Sequence, residues 1–151
     1  MTPSRFVFPC IAAAALIFAC SPRPSTRAAV AKPRAAVEQG VTSHVLVDTT
    51  RNGDVRFVIE VANDSRTSVE LEFPDGQTHD FIVIDDAGRE VWRWSAGRLF
   101  TQGMQNRLLD AHDQVQFSER WHPAAKGHYT LVAQLHSDNY PVRQRVEFAL
   151  Q

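Results

Sequence analysis

Residues 80–102 have the sequence DFIVIDDAGREVWRWSAGRLFTQ, and the predicted fold is organised around them. An apolar run at 81–84 leads into DDAG at 85–88, and the chain returns through Trp92 and Trp94. Two apolar segments that flank a turn of this composition predict a β-hairpin. Because residues two apart on a strand share a face, we expect the two tryptophans to anchor a core together.

The same period-two pattern extends over the rest of the chain from residue 41 onward. It is clearest at 54–62, where Phe57 and Ile59 belong to one face and Arg56 and Glu60 to the other. No stretch of helical length keeps a 3.6-residue period. The sequence therefore predicts an all-β fold, an antiparallel immunoglobulin-like β-sandwich of about eight strands. An eight-stranded barrel is the alternative, because alternation does not show whether a sheet closes.

Residues 95–105 follow the hairpin without strand alternation and are predicted to form a structured loop that leaves the sheet. This loop is the candidate partner-binding surface, since it joins a cationic head to apolar side chains, a mixture enriched at binding hot spots. The candidate residues are Ser95, Arg98, Leu99, Phe100, Gln102 and Met104. In the alternative interpretation, Leu99 and Phe100 tuck under the sandwich and close its end.

The first 40 residues differ in composition from the remainder. A short basic start and an apolar run at 6–18 end at Cys20, and the sequence LIFAC at 16–20 resembles a bacterial lipobox. Residues 1–20 are thus predicted to be a lipoprotein-type signal peptide, with the lipid attached to Cys20. The alternatives are a signal peptide cut elsewhere and an uncleaved anchor. Residues 21–40, rich in Pro, Ala and Arg, predict a disordered tether, and residues 41–151 predict the folded domain.

The predicted lipid anchor determines the expected location, and the charge of the folded domain excludes one class of partner. We expect a protein of the cell envelope that is exposed outside the cytoplasm and contacts the membrane through its lipid anchor only. Residues 1–40 carry five of the 16 basic and one of the 17 acidic residues, so residues 41–151 have a net charge of −5. An acidic domain is unsuited to a phosphate backbone, and we expect no nucleic-acid partner.

The residue types that carry catalysis or bind metals do not form a recognisable site. Residues 41–151 contain no cysteine, which excludes disulfides, thiolate ligands and a cysteine nucleophile. Ser95 lacks the G-x-S-x-G context of an activated serine, and the six histidines lack metal-ligand spacing, so we interpret them as polar loop residues. Asp85 and Asp86 are interpreted as turn formers. We expect no catalytic residue, metal or cofactor, and hence no enzyme.

Several short motifs lie within and beside the central segment. They are DF at 80–81, DDAG at 85–88, EVWRWS at 90–95 and FTQ at 100–102, with VANDS at 61–65 before them and Trp121 with GHY at 127–129 after them. Together they resemble the bacterial intracellular proteinase inhibitor domain, BsuPI, over residues 45–148. The resemblance implies an immunoglobulin-like β-sandwich and, from the founding member, inhibition of a serine protease.

Two functional hypotheses follow. In the first, the chain is a non-catalytic envelope lipoprotein whose BsuPI-like domain binds a serine protease or another envelope protein. In the second, it is a structural or assembly module of the cell envelope with no inhibitory activity. An exposed, extended loop favours the first hypothesis, and a flat sheet edge favours the second.

Overall fold

The computed structural model describes residues 40–49, 53–123 and 125–151. The predicted signal peptide and the predicted tether lie outside these ranges, except for Gly40. The carbonyl of Gly40 accepts a hydrogen bond from the backbone N–H of Asp64 at 2.7 Å. This contact joins the chain just before the first strand to the turn that follows the second strand.

All regular secondary structure of the described residues is β. The nine strands are β1 (Val41–Thr49), β2 (Val55–Asn63), β3 (Val69–Phe73), β4 (His79–Asp85), β5 (Glu90–Arg93), β6 (Gln105–Leu109), β7 (Gln114–Trp121), β8 (Gly127–Leu135) and β9 (Val142–Leu150). Every strand pairing is antiparallel. The prediction of an all-β antiparallel fold is confirmed, with one strand more than the eight expected.

Two sheets face each other across one core and form an immunoglobulin-like sandwich. The first sheet has the order β1-β2-β7 and the second the order β5-β4-β8-β9, while β3 and β6 form a separate two-stranded ribbon. The rings of Phe57 in β2 and Phe81 in β4 lie 5.8 Å apart, so the inner faces of the two sheets touch. The ribbon adds Leu71 and Leu109 to the same core. Because the strands form separate sheets, the barrel alternative is wrong.

Phe57 lies at the centre of the aromatic core. Its ring is fully buried and contacts four other rings at centroid distances of 5.8 to 6.3 Å, those of Phe81, Trp92, Trp121 and Phe148. Trp92 and Trp94 pack against this core but are only partly buried. Trp92 lies on β5, an outermost strand, and Trp94 follows the end of that strand, so one flank of each side chain stays open to solvent.

Asp85 forms the turn between β4 and β5, as predicted. The Oδ1 of Asp85 accepts hydrogen bonds from the backbone N–H groups of Ala87 at 3.0 Å and Arg89 at 2.9 Å. The side chain of Arg89 binds Asp85 Oδ2, and this hydrogen bond is the main reason that the pKa of Asp85 lies below its usual value. Gly88 has a φ of 77°, which glycine adopts without strain. The turn-former interpretation is confirmed for Asp85.

Strand β6 was not predicted, and it shortens the predicted loop by one residue. It pairs with β3 from Phe73 opposite Gln105 to Val69 opposite Leu109. Of its five residues only Leu109 is buried. A strand defined by backbone pairing in a mostly exposed ribbon leaves little apolar alternation in its sequence, so the pattern gave no signal.

A buried asparagine fixes the position of β6 relative to β2. Asn63 is fully buried, and its Nδ2 donates to the carbonyls of Thr67 at 2.8 Å, Asp110 at 2.9 Å and Leu109 at 3.2 Å. Its Oδ1 accepts from the N–H and the hydroxyl of Ser65. The amide thus satisfies backbone hydrogen-bonding groups in the turn after β2 and at the end of β6. These hydrogen bonds hold the ribbon against the first sheet.

Candidate protein-binding loop

A buried carboxylate holds the start of the β5–β6 loop, residues 94–104. Asp80 on β4 is only 1% exposed. Its Oδ2 accepts hydrogen bonds from Ser95 Oγ at 2.8 Å and from Arg93 Nη1 at 3.0 Å. Its Oδ1 accepts from the backbone N–H groups of Phe81 at 2.9 Å and Ser95 at 3.2 Å. A carboxylate is stable in such a place only with this number of donors, and the same donors attach the loop to the sheet.

Arg93 connects the buried carboxylate to the surface. Its Nε and Nη2 donate to the two carboxylate oxygens of Glu90 at 2.9 and 2.6 Å, while Nη1 binds Asp80. The hydrogen bond to Glu90 is the main cause of the raised pKa of Arg93, and the bond to Asp80 contributes in the same direction. The pairing with Arg93 also lowers the pKa of Glu90. The three side chains form one charged network at the base of the loop.

Two consecutive turns carry the chain from β5 into the loop. The backbone N–H of Ala96 donates to the carbonyl of Arg93 at 3.3 Å, and that of Arg98 donates to the carbonyl of Ser95 at 3.1 Å. Gly97 lies within the second of these turns with a φ of 73°, a conformation that a side chain disfavours. This part of the loop is therefore held by its own backbone as well as by Asp80.

The indole ring of Trp94 is the platform on which the loop rests. It stacks on His79 with 4.2 Å between ring centroids and contacts the ring of Phe100 at 5.5 Å. The guanidinium carbon of Arg98 lies 4.7 Å from the centre of the indole, and Arg98 Nε donates to the Trp94 carbonyl at 2.8 Å. The side chains of Arg98 and Phe100, which flank Leu99 at the loop tip, are thus both anchored to Trp94.

The far side of the loop is fixed by the β3–β4 connection. The backbone N–H of Gly76 donates to the carbonyl of Thr101 at 2.9 Å. A Cβ on Gly76 would lie 2.5 Å from Thr101 Oγ1, so only glycine permits this close approach. The Thr101 hydroxyl also accepts from Gln105 Nε2 at 3.0 Å. The loop therefore has supports before and after its tip.

The six predicted site residues occupy distinct positions on this loop. Leu99 is 100% exposed and Met104 is 81% exposed, and Arg98 and Gln102 are also exposed. Ser95 and Phe100 are partly buried, Ser95 against Asp80 and Phe100 against Trp94. The alternative interpretation, in which both Leu99 and Phe100 tuck under the sandwich, is wrong for Leu99. Phe100 takes the available position on the indole, and this leaves the neighbouring side chain in solvent.

Sequence reasoning missed the residues that support the loop. Asp80 and Arg93 lie in the motifs at 80–81 and 90–95, which give no sign of their contacts, and the interpretation of His79 as a loop residue is wrong, because it is buried at the start of β4. One signal was available for Asp80: an acidic residue immediately before a fully apolar run is expected to need a buried partner. The identity of that partner depends on strand pairing, which is not visible in a local pattern.

His79 is a buried ionisable group beside the loop. Its Nδ1 lies 3.0 Å from Thr78 Oγ1, and its Nε2 lies 3.4 Å from Glu119 Oε1 without forming a well-aligned hydrogen bond. Burial lowers the pKa of His79 because the imidazolium loses hydration, and Glu119 offsets only part of this effect. The neutral ring is thus the form that fits against Trp94.

The pKa of His79 leads to a prediction for the pH dependence of stability. Below the unfolded-state pKa of 6.5, the unfolded chain binds a proton that the folded chain excludes, so the free energy of unfolding falls as the pH decreases. We expect urea midpoints of the wild type to drop more than those of His79→Phe between about pH 8 and about pH 5.5. His128→Phe, at an exposed position of β8, is the matched control and should behave like the wild type. An equal drop in wild type and His79→Phe would contradict the prediction.

Two further observations concern the described residues as a whole. None of their His, Asp and Glu side chains form a group of three that could hold a metal ion. No helix within 40–49, 53–123 or 125–151 has the length and apolarity required to cross a membrane.

Three solved structures show distant similarity to this one. An X-ray structure of a Northeast Structural Genomics Consortium target has a TM-score of 0.40 and 12% identity, over 76% of this chain and 88% of its own. The CARDB domain of a Pyrococcus furiosus protein, solved in complex with di-metal ions, has a TM-score of 0.38 and 15% identity, over 81% of this chain and 90% of its own. A β-glucosidase from Erythrobacter marinus has a TM-score of 0.36 and 17% identity, over 82% of this chain but only 15% of its own.

The sequence comparisons give one match. No curated protein matches the chain significantly. The family model for BsuPI, described as intracellular proteinase inhibitor, matches residues 43–140, which is more than half of the chain. The matched region begins within β1 and ends in the connection between β8 and β9, so it contains Asp80, Trp94 and the whole β5–β6 loop. The chain belongs to the BsuPI family of intracellular proteinase inhibitors.

Proposed function

We propose that this chain is a non-catalytic inhibitor that binds a serine protease through the β5–β6 loop. One observation supports this function above all others: Leu99 is fully exposed at the tip of a loop whose base is hydrogen-bonded to the buried Asp80. A protease cleft accepts an extended segment that projects from its scaffold. A loop that is already ordered loses little conformational entropy when it binds there.

The charge and composition of the loop suit a protein partner. Arg98, Leu99 and Phe100 form a short segment with one cation and two large apolar side chains, and arginine and aromatic residues are enriched at protein interfaces. Met104, 81% exposed, adds apolar surface at the end of the loop. The partly buried Phe100 contributes mainly by holding the segment on Trp94.

Residual protease activity tests this function. The full chain, purified in nonionic detergent, is expected to inhibit at least one member of a panel of trypsin-like, chymotrypsin-like and subtilisin-like enzymes at micromolar concentration. Leu99→Ala should weaken this inhibition by about 2 kcal/mol or more, roughly 30-fold, without changing the fold. Leu108→Ala is the matched control, since Leu108 is 63% exposed on β6 outside the loop. A correctly folded chain that inhibits no enzyme of the panel would contradict the proposal.

One observation favours the second function, an assembly module of the cell envelope without inhibitory activity. Strand β6 pairs only with β3 among the described strands, and Met104 and Leu108 are exposed beside its unpaired edge. An edge of this kind accepts an extended segment of another protein by strand addition. Loss of partner binding in Leu108→Ala but not in Leu99→Ala would support this function over inhibition.

We propose further that the protein is anchored to a membrane of the cell envelope through a lipid on Cys20 and is exposed outside the cytoplasm. The support is the sequence LIFAC at 16–20 after a basic start and an apolar run. Cys20→Ser should prevent lipidation and processing. The variant is expected to leave the membrane fraction or to keep its signal sequence, with the amino terminus determined by mass spectrometry. Unchanged fractionation and an unchanged amino terminus would contradict the lipoprotein assignment.

A further inference from the structure

The residue before the loop tip is held by Trp94. Arg98 Nε donates to the Trp94 carbonyl at 2.8 Å, and its guanidinium carbon lies 4.7 Å from the centre of the indole ring. The backbone N–H of Arg98 also donates to the carbonyl of Ser95 at 3.1 Å. Before the guanidinium could enter a pocket of another protein, both side-chain contacts would have to break. Arg98 is therefore poorly placed to be the residue that a protease recognises first.

The residues after the tip are held in a similar way. The ring of Phe100 packs on the indole of Trp94 at 5.5 Å and is partly buried. The carbonyl of the next residue, Thr101, accepts a hydrogen bond from Gly76 at 2.9 Å. Phe100 is thus directed toward the domain, and moving it outward would expose the indole.

Leu99 differs from both neighbours. It is 100% exposed, whereas Phe57, Phe81 and the other large side chains of the core are buried. A leucine in solvent adds nothing to the core, and its backbone is positioned by the contacts of Arg98 and Phe100 on either side. Met104, the other exposed apolar residue of the loop, lies at its end next to β6, so at the tip the loop presents a single apolar side chain, that of Leu99, on an ordered backbone. This arrangement favours insertion of that one side chain into a pocket at low entropic cost.

We infer that Leu99 is the primary specificity residue of the β5–β6 loop and that the target is a serine protease with an apolar specificity pocket. This inference rests on the proposed inhibitory function and specifies its target class. Chymotrypsin-like enzymes recognise large apolar side chains in a hydrophobic slot, whereas trypsin-like enzymes place an acidic residue in the same pocket. The target class therefore follows from the side chain that is exposed at the tip of the loop, and that side chain is aliphatic.

Exchange of the tip residue tests the inference. Inhibition constants of the full chain are measured against chymotrypsin, a subtilisin and trypsin for the wild type, Leu99→Arg and Arg98→Ala. The wild type should inhibit chymotrypsin or the subtilisin at least about 10-fold better than trypsin. In Leu99→Arg this inhibition should weaken by about 100-fold, because an unpaired guanidinium is costly in an apolar pocket, and trypsin should become the preferred target. Arg98→Ala removes contacts that hold the loop and should weaken inhibition of all three enzymes to a similar extent, so the preference for chymotrypsin or the subtilisin over trypsin should change by less than about 5-fold.

Leu108→Arg is the matched control, since it adds the same charge to an exposed leucine outside the loop. Preferential inhibition of trypsin that disappears in Arg98→Ala would overturn the inference and leave the inhibitory function standing. Inhibition of chymotrypsin or the subtilisin that changes by less than about 3-fold in Leu99→Arg would also overturn only the inference. If neither the wild type nor Leu99→Arg inhibits any of the three enzymes, the proposed function itself fails.

Discussion

Replacement of Phe57 with alanine is expected to lower the free energy of unfolding by about 3–5 kcal/mol. Phe57 is fully buried, and its ring contacts four other aromatic rings contributed by both sheets. Loss of the ring removes its burial energy and also leaves a cavity. Rings attached to different strands of two hydrogen-bonded sheets have little freedom to collapse into that space, so the cost should be near the top of the range.

Urea denaturation followed by tryptophan fluorescence measures this effect, since two of the contacting rings are those of Trp92 and Trp121. Phe57→Leu keeps most of the volume and should lose clearly less stability. Leu46→Ala, at a position of β1 that is 50% exposed, should change stability by no more than about 0.5 kcal/mol. Trp92→Ala should cost less than Phe57→Ala, because Trp92 is only partly buried. A denaturation midpoint of Phe57→Ala equal to that of Leu46→Ala would show that the centre of the core is elsewhere.

Replacement of Asp80 with alanine is expected to cost about 3 kcal/mol of stability. The substitution leaves the N–H groups of Phe81 and Ser95 and the Ser95 hydroxyl without their acceptor in a buried region. Arg93 keeps its two hydrogen bonds to Glu90, and its side chain is 34% exposed, so its charge remains solvated. The main cost is therefore the unpaired backbone and hydroxyl donors and not a stranded cation.

Two conservative variants separate the contributions at this site. Asp80→Asn keeps the shape and one acceptor oxygen and should lose less stability than Asp80→Ala. Ser95→Ala removes one hydroxyl and should cost about 1 kcal/mol. Asp80→Ala should also increase the rate of amide hydrogen exchange at residues 94–98, measured by mass spectrometry, because the start of the loop loses its attachment. If Asp80→Ala is as stable as the wild type and exchanges no faster, Asp80 does not hold the loop.

Much of the fold was predictable because the signal for a half-buried strand is local. The alternation of Val55, Phe57, Ile59 and Val61 depends only on which side of one strand faces the core, and all four are buried. The β4–β5 turn was equally predictable, because Asp85 and Gly88 act on their own neighbours within a few residues. Strand β6 was not predictable from the sequence, because four of its five side chains face solvent and do not alternate between apolar and polar.

The state of the candidate loop was not predictable from its own sequence. Leu99 and Phe100 are adjacent apolar residues, and no local rule separates the exposed one from the one that packs. Their difference arises from Trp94, whose indole is itself positioned by His79, and from Asp80, which pairs with Ser95 across the hairpin. Contacts of this kind join residues from separate strands, and they exist only when the two sheets and their connections are assembled. Burial along a strand is thus a property of local sequence, whereas the exposure of a loop side chain depends on which distant groups occupy the space beneath it.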